Sequence, residues 1–95
     1  MPAYIVSRTK VKNQDLMKEY AAKSIPLAIS HGGKYIVRTN NVEALDGSYD
    51  GRRLVIMEFP DVKSVRAFWD SQEYQELRKM RLAATDSDVW LVSED

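Results

Sequence analysis

The sequence has 95 residues, of which 44% are hydrophobic and 29% are charged, and its 14 basic side chains balance its 14 acidic ones. A chain of this length forms a single domain, residues 1–95, and buries roughly 60–65% of the surface that its unfolded form exposes. The balanced charge argues against disorder and against a nucleic-acid partner. Cysteine is absent, which excludes disulfides and thiolate catalysis.

No apolar run approaches the roughly 20 residues needed to cross a bilayer. The N-terminus also lacks the basic stretch and apolar stretch of a signal peptide. We therefore expect a cytoplasmic protein with no membrane partner.

Four strands are predicted from runs of β-branched and aromatic residues, at residues 3–9, 34–39, 54–59 and 89–92. Residues 40–53 are long for a hairpin connection, and we favour a continued strand through residues 42–45 over a mobile loop. Asp86-Ser87-Asp88 is predicted to separate the last strand from the helix before it.

Two helical regions lie between these strands. The first starts at an Asn13 N-cap and ends near His31 before Gly32-Gly33, and Pro26 is expected to kink or break it. The second follows Pro60, and Asp61 is its predicted N-cap. Asp70 with Glu73 resembles a second capping signal, which predicts two helical segments there.

The resulting order, strand, helix, strand, strand, helix, strand, predicts a ferredoxin-like α+β fold with a four-stranded antiparallel sheet and helices on one face. Three of the strands are apolar on both faces, which indicates that something covers the second face. Because no further helix is predicted, we expect a homodimer in which the two sheets pack face to face.

Several groups of residues carry a family resemblance: Gly32-Gly33-Lys34-Tyr35 with Arg38, Glu43-Ala44-Leu45-Asp46-Gly47, Arg53 with Val55-Ile56-Met57-Glu58-Phe59-Pro60, Ser71-Gln72-Glu73-Tyr74, and Arg81. In combination they resemble the DUF1330 family over nearly the whole chain. The chain departs from that family at Thr39-Asn40, where Gly-Gly is frequent, and at Phe68-Trp69, where Trp-Tyr is usual.

The resemblance implies a ferredoxin-like subunit of a dimeric α+β barrel. That superfamily also contains cofactor-free monooxygenases, haem-degrading enzymes and small-molecule isomerases. DUF1330 itself is a family of uncharacterised function, so the resemblance implies a fold rather than an activity.

Arg81 is the most informative candidate site residue, because it falls within the apolar stripe of the last helix, where a charge needs a partner. One interpretation is a substrate-binding guanidinium that holds a carboxylate or an enolate. The alternatives are an internal ion pair with Asp86, Asp88 or Glu58, and a long side chain that extends to solvent.

Arg38 and Glu58 are single charges within apolar strands. Arg38 is a second candidate for binding an anionic substrate, and a desolvated Glu58 is a candidate general acid or base. The structural alternative is that the two residues form an ion pair with each other.

His31 is the only histidine and hence a candidate catalytic base, although its place at a helix end also suits an ordinary cap. No metal-like spacing appears, and neither a metal nor another cofactor is predicted. Haem binding through His31 is an alternative that only the superfamily resemblance suggests.

Trp69 and Tyr74, together with Tyr20 and Phe68, are candidates to line a pocket for a planar apolar ligand, or they form only the core. The functional hypothesis is a protein that binds or transforms a small organic acid or aromatic compound without a cofactor. The alternatives are a non-catalytic structural or ligand-binding dimer, and haem-degrading or monooxygenase-like activity.

Overall fold

The computed structural model describes residues 1–94. It contains β1 (Ala3–Val11), α1 (Gln14–Ser30), β2 (Lys34–Thr39), β3 (Arg53–Phe59), α2 (Val62–Trp69), α3 (Gln72–Ala84) and β4 (Thr85–Ser93). The strands form one antiparallel sheet in the order β2-β3-β1-β4, and the helices cover one of its faces. The predicted ferredoxin-like fold is therefore confirmed. Within residues 1–94, no helix combines the length and the apolar composition needed to cross a membrane.

The core lies between this sheet and the helices. Ile5 pairs with Met57 across β1 and β3, and both are buried beneath Val65 and Phe68 of α2 and Tyr74 of α3. Because neighbouring residues of a strand point to opposite faces, the residues between these buried positions face away from the helices.

The helix-free face carries an apolar row that crosses all four strands. Val37 pairs with Ile56, Ile56 with Val6, and Val6 with Trp90. Trp90 and Val92 are each 45% exposed. A single chain therefore leaves this face open to solvent, and cross-strand neighbours of this kind form a continuous surface.

Helix α1 begins at Asn13, whose side chain accepts a hydrogen bond from the Leu16 backbone N–H. The helix runs through Pro26 to Ser30, so of the two expected outcomes, a kink or a break, the break is not found. Ala22, whose carbonyl loses its partner to the proline, is exposed, and water can donate to that oxygen. Gly32 ends the helix with a positive φ of 91°, a conformation that glycine adopts without strain.

Residues 40–52 contain no strand, and the prediction of a strand through residues 42–45 is wrong. Leu45 is 91% exposed, so nothing packs against the apolar side chain that suggested it. Ion pairs hold the far end of the segment instead, since Asp50 lies 3.0 Å from Arg8 and 3.3 Å from Arg52.

Strand β4 starts at Thr85, directly after α3, and the prediction that residues 86–88 separate helix from strand is wrong. These residues pair with residues 8–10 of β1. An ion pair of 2.9 Å between Arg8 and Asp88 adds to the pairing. Long-range pairing of this kind overrides the turn preference of Asp and Ser.

The second helical region is divided as predicted, but its cap is Ser71 rather than Asp70. The Ser71 hydroxyl accepts from the Tyr74 backbone N–H at 3.1 Å and donates to the Phe68 carbonyl at 2.8 Å. Asp70 is instead the C-cap of α2. This cap fixes the start of α3 and hence the position of Tyr74.

Candidate functional site

A cavity of about 260 Å³ lies between the helices and the covered face of the sheet. Its apolar lining comes from the sheet, from α1 and from α2, and includes Ile5, Val55, Met57, Ala28, Phe68 and Trp69. Three arginines also line it, Arg38, Arg53 and Arg81, whereas no aspartate or glutamate within residues 1–94 does so. The charge that faces the cavity is therefore entirely positive.

Arg81 lies in the last turn of α3 and is only 7% exposed. Its Nε donates to the Tyr74 hydroxyl oxygen at 3.3 Å, and its Nη1 donates to Ser87 Oγ at 2.6 Å. Its guanidinium carbon lies 5.8 Å from the centre of the Trp69 ring. Neutral groups thus surround a buried cation.

The internal ion pair considered for Arg81 is not formed. Asp88 and Asp86 pair with Arg8 and Arg52, and Glu58 pairs with Lys34. The physical reason is strand alternation, because Ser87 faces the helices while its two acidic neighbours face the opposite side. Extension of Arg81 to solvent is likewise excluded by its burial.

Hydrogen bonds hold the guanidinium in place. The Thr85 hydroxyl donates to the Arg81 carbonyl at 2.7 Å, so in the 3.1 Å contact between Thr85 and Ser87 the proton comes from Ser87. Ser87 Oγ is then an acceptor for Arg81. Nη2 of Arg81 makes no hydrogen bond within residues 1–94 and is not fully occluded, which leaves it available to a ligand in the cavity.

A pair of tyrosines lies beside Arg81. The hydroxyl oxygens of Tyr20 and Tyr74 are 3.0 Å apart, and their rings meet edge to face with centroids 6.5 Å apart. Burial, with a further contribution from the neighbouring Tyr74, raises the pKa of Tyr20 well above its ordinary value. Tyr20 therefore stays protonated at neutral pH and can donate a hydrogen bond to Tyr74.

Arg38 and Arg53 lie nearer the rim of the cavity. Arg38 is exposed and its guanidinium stacks on the Tyr35 ring at 4.5 Å. Nη1 of Arg53 donates to the Asn40 side chain at 2.8 Å. The predicted pair between Arg38 and Glu58 is not formed, because Arg38 pairs with Val55 on the covered face whereas Glu58 lies opposite Lys34 on the other face.

The structure brings together four of the six predicted site residues. Arg38, Trp69, Tyr74 and Arg81 line the cavity, whereas His31 and Glu58 do not.

His31 caps α1, and its ring centre lies 6.0 Å from that of Phe68. Because its side chain does not line the cavity, His31 offers no ligand to a haem placed there. The catalytic roles of His31 and Glu58 stay predictions.

Sequence reasoning missed two residues of the site. Arg53 lies in the predicted connection of residues 40–53, and Ser87 lies in the segment predicted to separate helix from strand. Alternation from Val89 back to Thr85 would have placed Ser87 on the face of Val89, had the start of the strand been known. Within the described part of the chain, no group of three or more His, Asp or Glu side chains is placed to hold a metal ion.

The chain matches the family model described as "Domain of unknown function (DUF1330)" over residues 2–95. No curated protein matches it.

Several solved structures have the same fold. A protein of unknown function from Rhodopseudomonas palustris is 21% identical with a TM-score of 0.79, and the match covers 96% of this chain and 80% of that one. SnoaB, a cofactor-independent oxygenase from Streptomyces nogalater, is 15% identical with a TM-score of 0.69, with 99% and 93% covered. A dimeric ferredoxin-like protein of unknown function from Jannaschia sp. CCS1 is 14% identical with a TM-score of 0.69, with 98% and 99% covered. At these identities the likeness concerns the fold alone.

Proposed function

This chain belongs to the DUF1330 family, and we propose that it binds a small organic anion with a planar apolar body in the cavity beneath its helices. The observation that carries this proposal is Arg81, a buried cation that points into a largely apolar cavity with no carboxylate among the described residues that line it. Leaving a buried charge without an opposite charge is costly, and a ligand carboxylate, phenolate or enolate removes that cost.

The positions of the three arginines favour an anionic ligand both during its approach to the cavity and after it has bound. Arg38 and Arg53 lie near the rim, where positive charge raises the local concentration of anions. Arg81 lies deeper, where Nη2 can donate to a ligand oxygen. A guanidinium in a low-dielectric site binds an oxyanion more strongly than it does in water.

The apolar lining and the volume of the cavity indicate the character and size of the uncharged part of the ligand. Trp69 and Phe68 present aromatic rings, and the volume of about 260 Å³ is slightly below the usual range of ligand sites, roughly 300–1,000 Å³. We therefore expect one or two fused rings rather than a long chain.

Calorimetric titration with benzoate, 1-naphthoate and their uncharged amides tests this proposal. We expect the acids to bind and the amides to bind at least about tenfold more weakly, because the amides lack the charge. Arg81→Met should abolish the preference for the acids. Arg78→Met is the matched control, since Arg78 belongs to the same helix but does not line the cavity. If acids and amides bound equally well, or neither bound, the proposal would be wrong.

The assembly that we propose is a homodimer formed by the two helix-free sheet faces. Its support is the exposed apolar row on that face, together with a neighbour of the same fold that is described as dimeric. A face of this kind is typical of interfaces between identical subunits.

A second candidate is oxygenation of the bound ligand, which Tyr74 beside Arg81 favours. A planar ketone with an acidic CH₂ group would bind as its enolate, with the enolate oxygen near both residues. Reaction with dioxygen converts the CH₂ group to C=O, and the second oxygen atom leaves as water, so that no external reductant is needed. SnoaB, which has the same fold, is described as a cofactor-independent oxygenase.

Dioxygen uptake in the presence of anthrone tests this second candidate. We expect uptake above the uncatalysed rate, and a loss of about a hundredfold in Tyr74→Phe, which removes the hydroxyl. If the protein bound organic anions but did not accelerate uptake, the non-catalytic ligand-binding alternative would stand instead.

A further inference from the structure

A second cavity of about 200 Å³ lies beside the first, between α2 and β4. Val65 and Arg66 of α2 and Leu91 of β4 line it. Three residues line both cavities, Ile5, Trp69 and Val89. These three side chains therefore form the boundary between the two cavities, and their size determines whether a ligand can extend from one cavity into the other.

Ile5 and Val89 form the part of this boundary that lies on the sheet. Ile5 pairs with Leu91, and Ser7 pairs with Val89, so the two shared residues stand on the covered face of adjacent strands. Side chains on that face stand roughly perpendicular to the sheet, but both residues are short compared with the distance of roughly 10 Å between packed layers.

Trp69 is the only shared residue that comes from a helix, within residues 1–94. On the side of the first cavity its indole contacts the Tyr74 ring, with centroids 4.9 Å apart, and the Arg81 guanidinium at 5.8 Å. Its backbone carbonyl accepts a hydrogen bond of 2.7 Å from Gln75. The indole therefore packs against Tyr74 and Arg81, and the hydrogen bond from Gln75 anchors the backbone that carries it.

We infer that the indole of Trp69 is a partition that limits the length of the ligand, an inference that rests on the proposed binding of an organic anion in the first cavity. With its carboxylate at Arg81, a one-ring or two-ring acid ends against the indole. A longer aryl acid needs the space on the far side. Trp69 is thus a specificity-determining residue for ligand length.

The experiment compares benzoate with biphenyl-4-carboxylate in the wild type and in Trp69→Ala by calorimetry. We expect Trp69→Ala to bind biphenyl-4-carboxylate at least about tenfold more tightly than the wild type does, since a second ring buries additional apolar surface. Benzoate needs no space beyond the partition but contacts the indole that lines the first cavity, so its affinity should not rise in Trp69→Ala and the gain should be specific to the longer acid. Leu82→Ala, an exposed truncation in α3, should change neither affinity.

Trp69→Phe keeps the core filled and serves if Trp69→Ala does not fold. Its smaller ring should give a smaller gain for the longer acid, of about threefold. In the Trp69→Ala background, Leu91→Trp fills the second cavity and should remove the gain while benzoate still binds.

Two results overturn the inference, and they are distinguishable. If both Trp69 variants bind benzoate but gain nothing for the longer acid, the partition is wrong while the proposed function stands. If the wild type binds neither acid, the proposed function itself fails, and the partition fails with it.

Discussion

Nη1 of Arg81 donates a hydrogen bond of 2.6 Å to the hydroxyl of Ser87, so that a neutral side chain lies where an ion pair would otherwise neutralise the guanidinium. The acidic residues on either side of Ser87 face the opposite surface of the sheet. A shift of one residue in the pairing of β4 with β1 would place an aspartate on the side of Arg81 in place of Ser87. Arg81 would then be paired instead of available to a ligand.

Ser87→Asp should convert the site from an anion-binding site into an internal ion pair. The introduced carboxylate lies next to the guanidinium, competes with the ligand and lowers the affinity for 1-naphthoate by at least about tenfold. Ser87→Asn, which has nearly the same shape but no charge, is the matched control and should retain most of the affinity. Calorimetric titration of both variants checks this, and equal losses would contradict it.

Tyr20 should make stability depend on pH in the alkaline range. Its pKa is raised in the folded protein, chiefly by burial, so above pH 10 the unfolded chain loses a proton that the folded protein keeps. The contribution of Tyr20 to stability is then constant below about pH 9 and falls as pH rises beyond about 10, by up to about 1.4 kcal/mol per pH unit.

Urea unfolding of the wild type and Tyr20→Phe between pH 7 and 11 measures this effect. At pH 7 the variant should lose about 1 kcal/mol, because a hydrogen bond to Tyr74 is removed. Above pH 10 its stability should fall less steeply than that of the wild type. Tyr4→Phe, on the helix-free face, is the control, and identical slopes in all three proteins would refute the assignment to Tyr20.

Ser71→Ala should destabilise the protein by about 1 kcal/mol, because the Tyr74 N–H loses the side-chain acceptor that caps α3. Asp70→Ala should change the free energy of unfolding by less than about 0.5 kcal/mol, since Asp70 is not that cap. Chemical unfolding at pH 7 distinguishes the two positions. A larger loss at Asp70 would support the sequence-based capping signal instead.

Ile56→Asp should dissociate the proposed dimer, because it places a carboxylate in the middle of the apolar row on the helix-free face. Sedimentation analysis at micromolar concentration should give the mass of a dimer for the wild type and of a monomer for the variant. Leu45→Asp, at a position 91% exposed outside the sheet, is the control and should remain dimeric. A monomeric wild type would exclude the dimer.

Local patterns were sufficient for most of the fold. The Asn13 and Asp61 caps, the glycine after α1 and the four strands were all predicted, because each depends on residues close together in the chain. The errors fall at residues 42–45 and 86–88, where a tertiary contact or its absence overrides local preference. Leu45 finds nothing to pack on, whereas residues 86–88 find β1 as a pairing partner.

For the site, the sequence by itself determined which residue types were available. It identified Arg81 as a cation within an apolar stripe, with Arg38, Trp69 and Tyr74 as further candidates, and these four residues line one cavity. It could not determine which charges meet. His31 and Glu58 lie outside that cavity, and Glu58 points to the other face of the sheet.

Only the tertiary structure decided that Arg81 has Ser87 as its partner rather than a carboxylate. The physical reason is that the face to which a strand residue points depends on the register of its pairing, and β4 takes its register from β1, some 80 residues away in the chain. Composition and periodicity carry no information about that distant pairing.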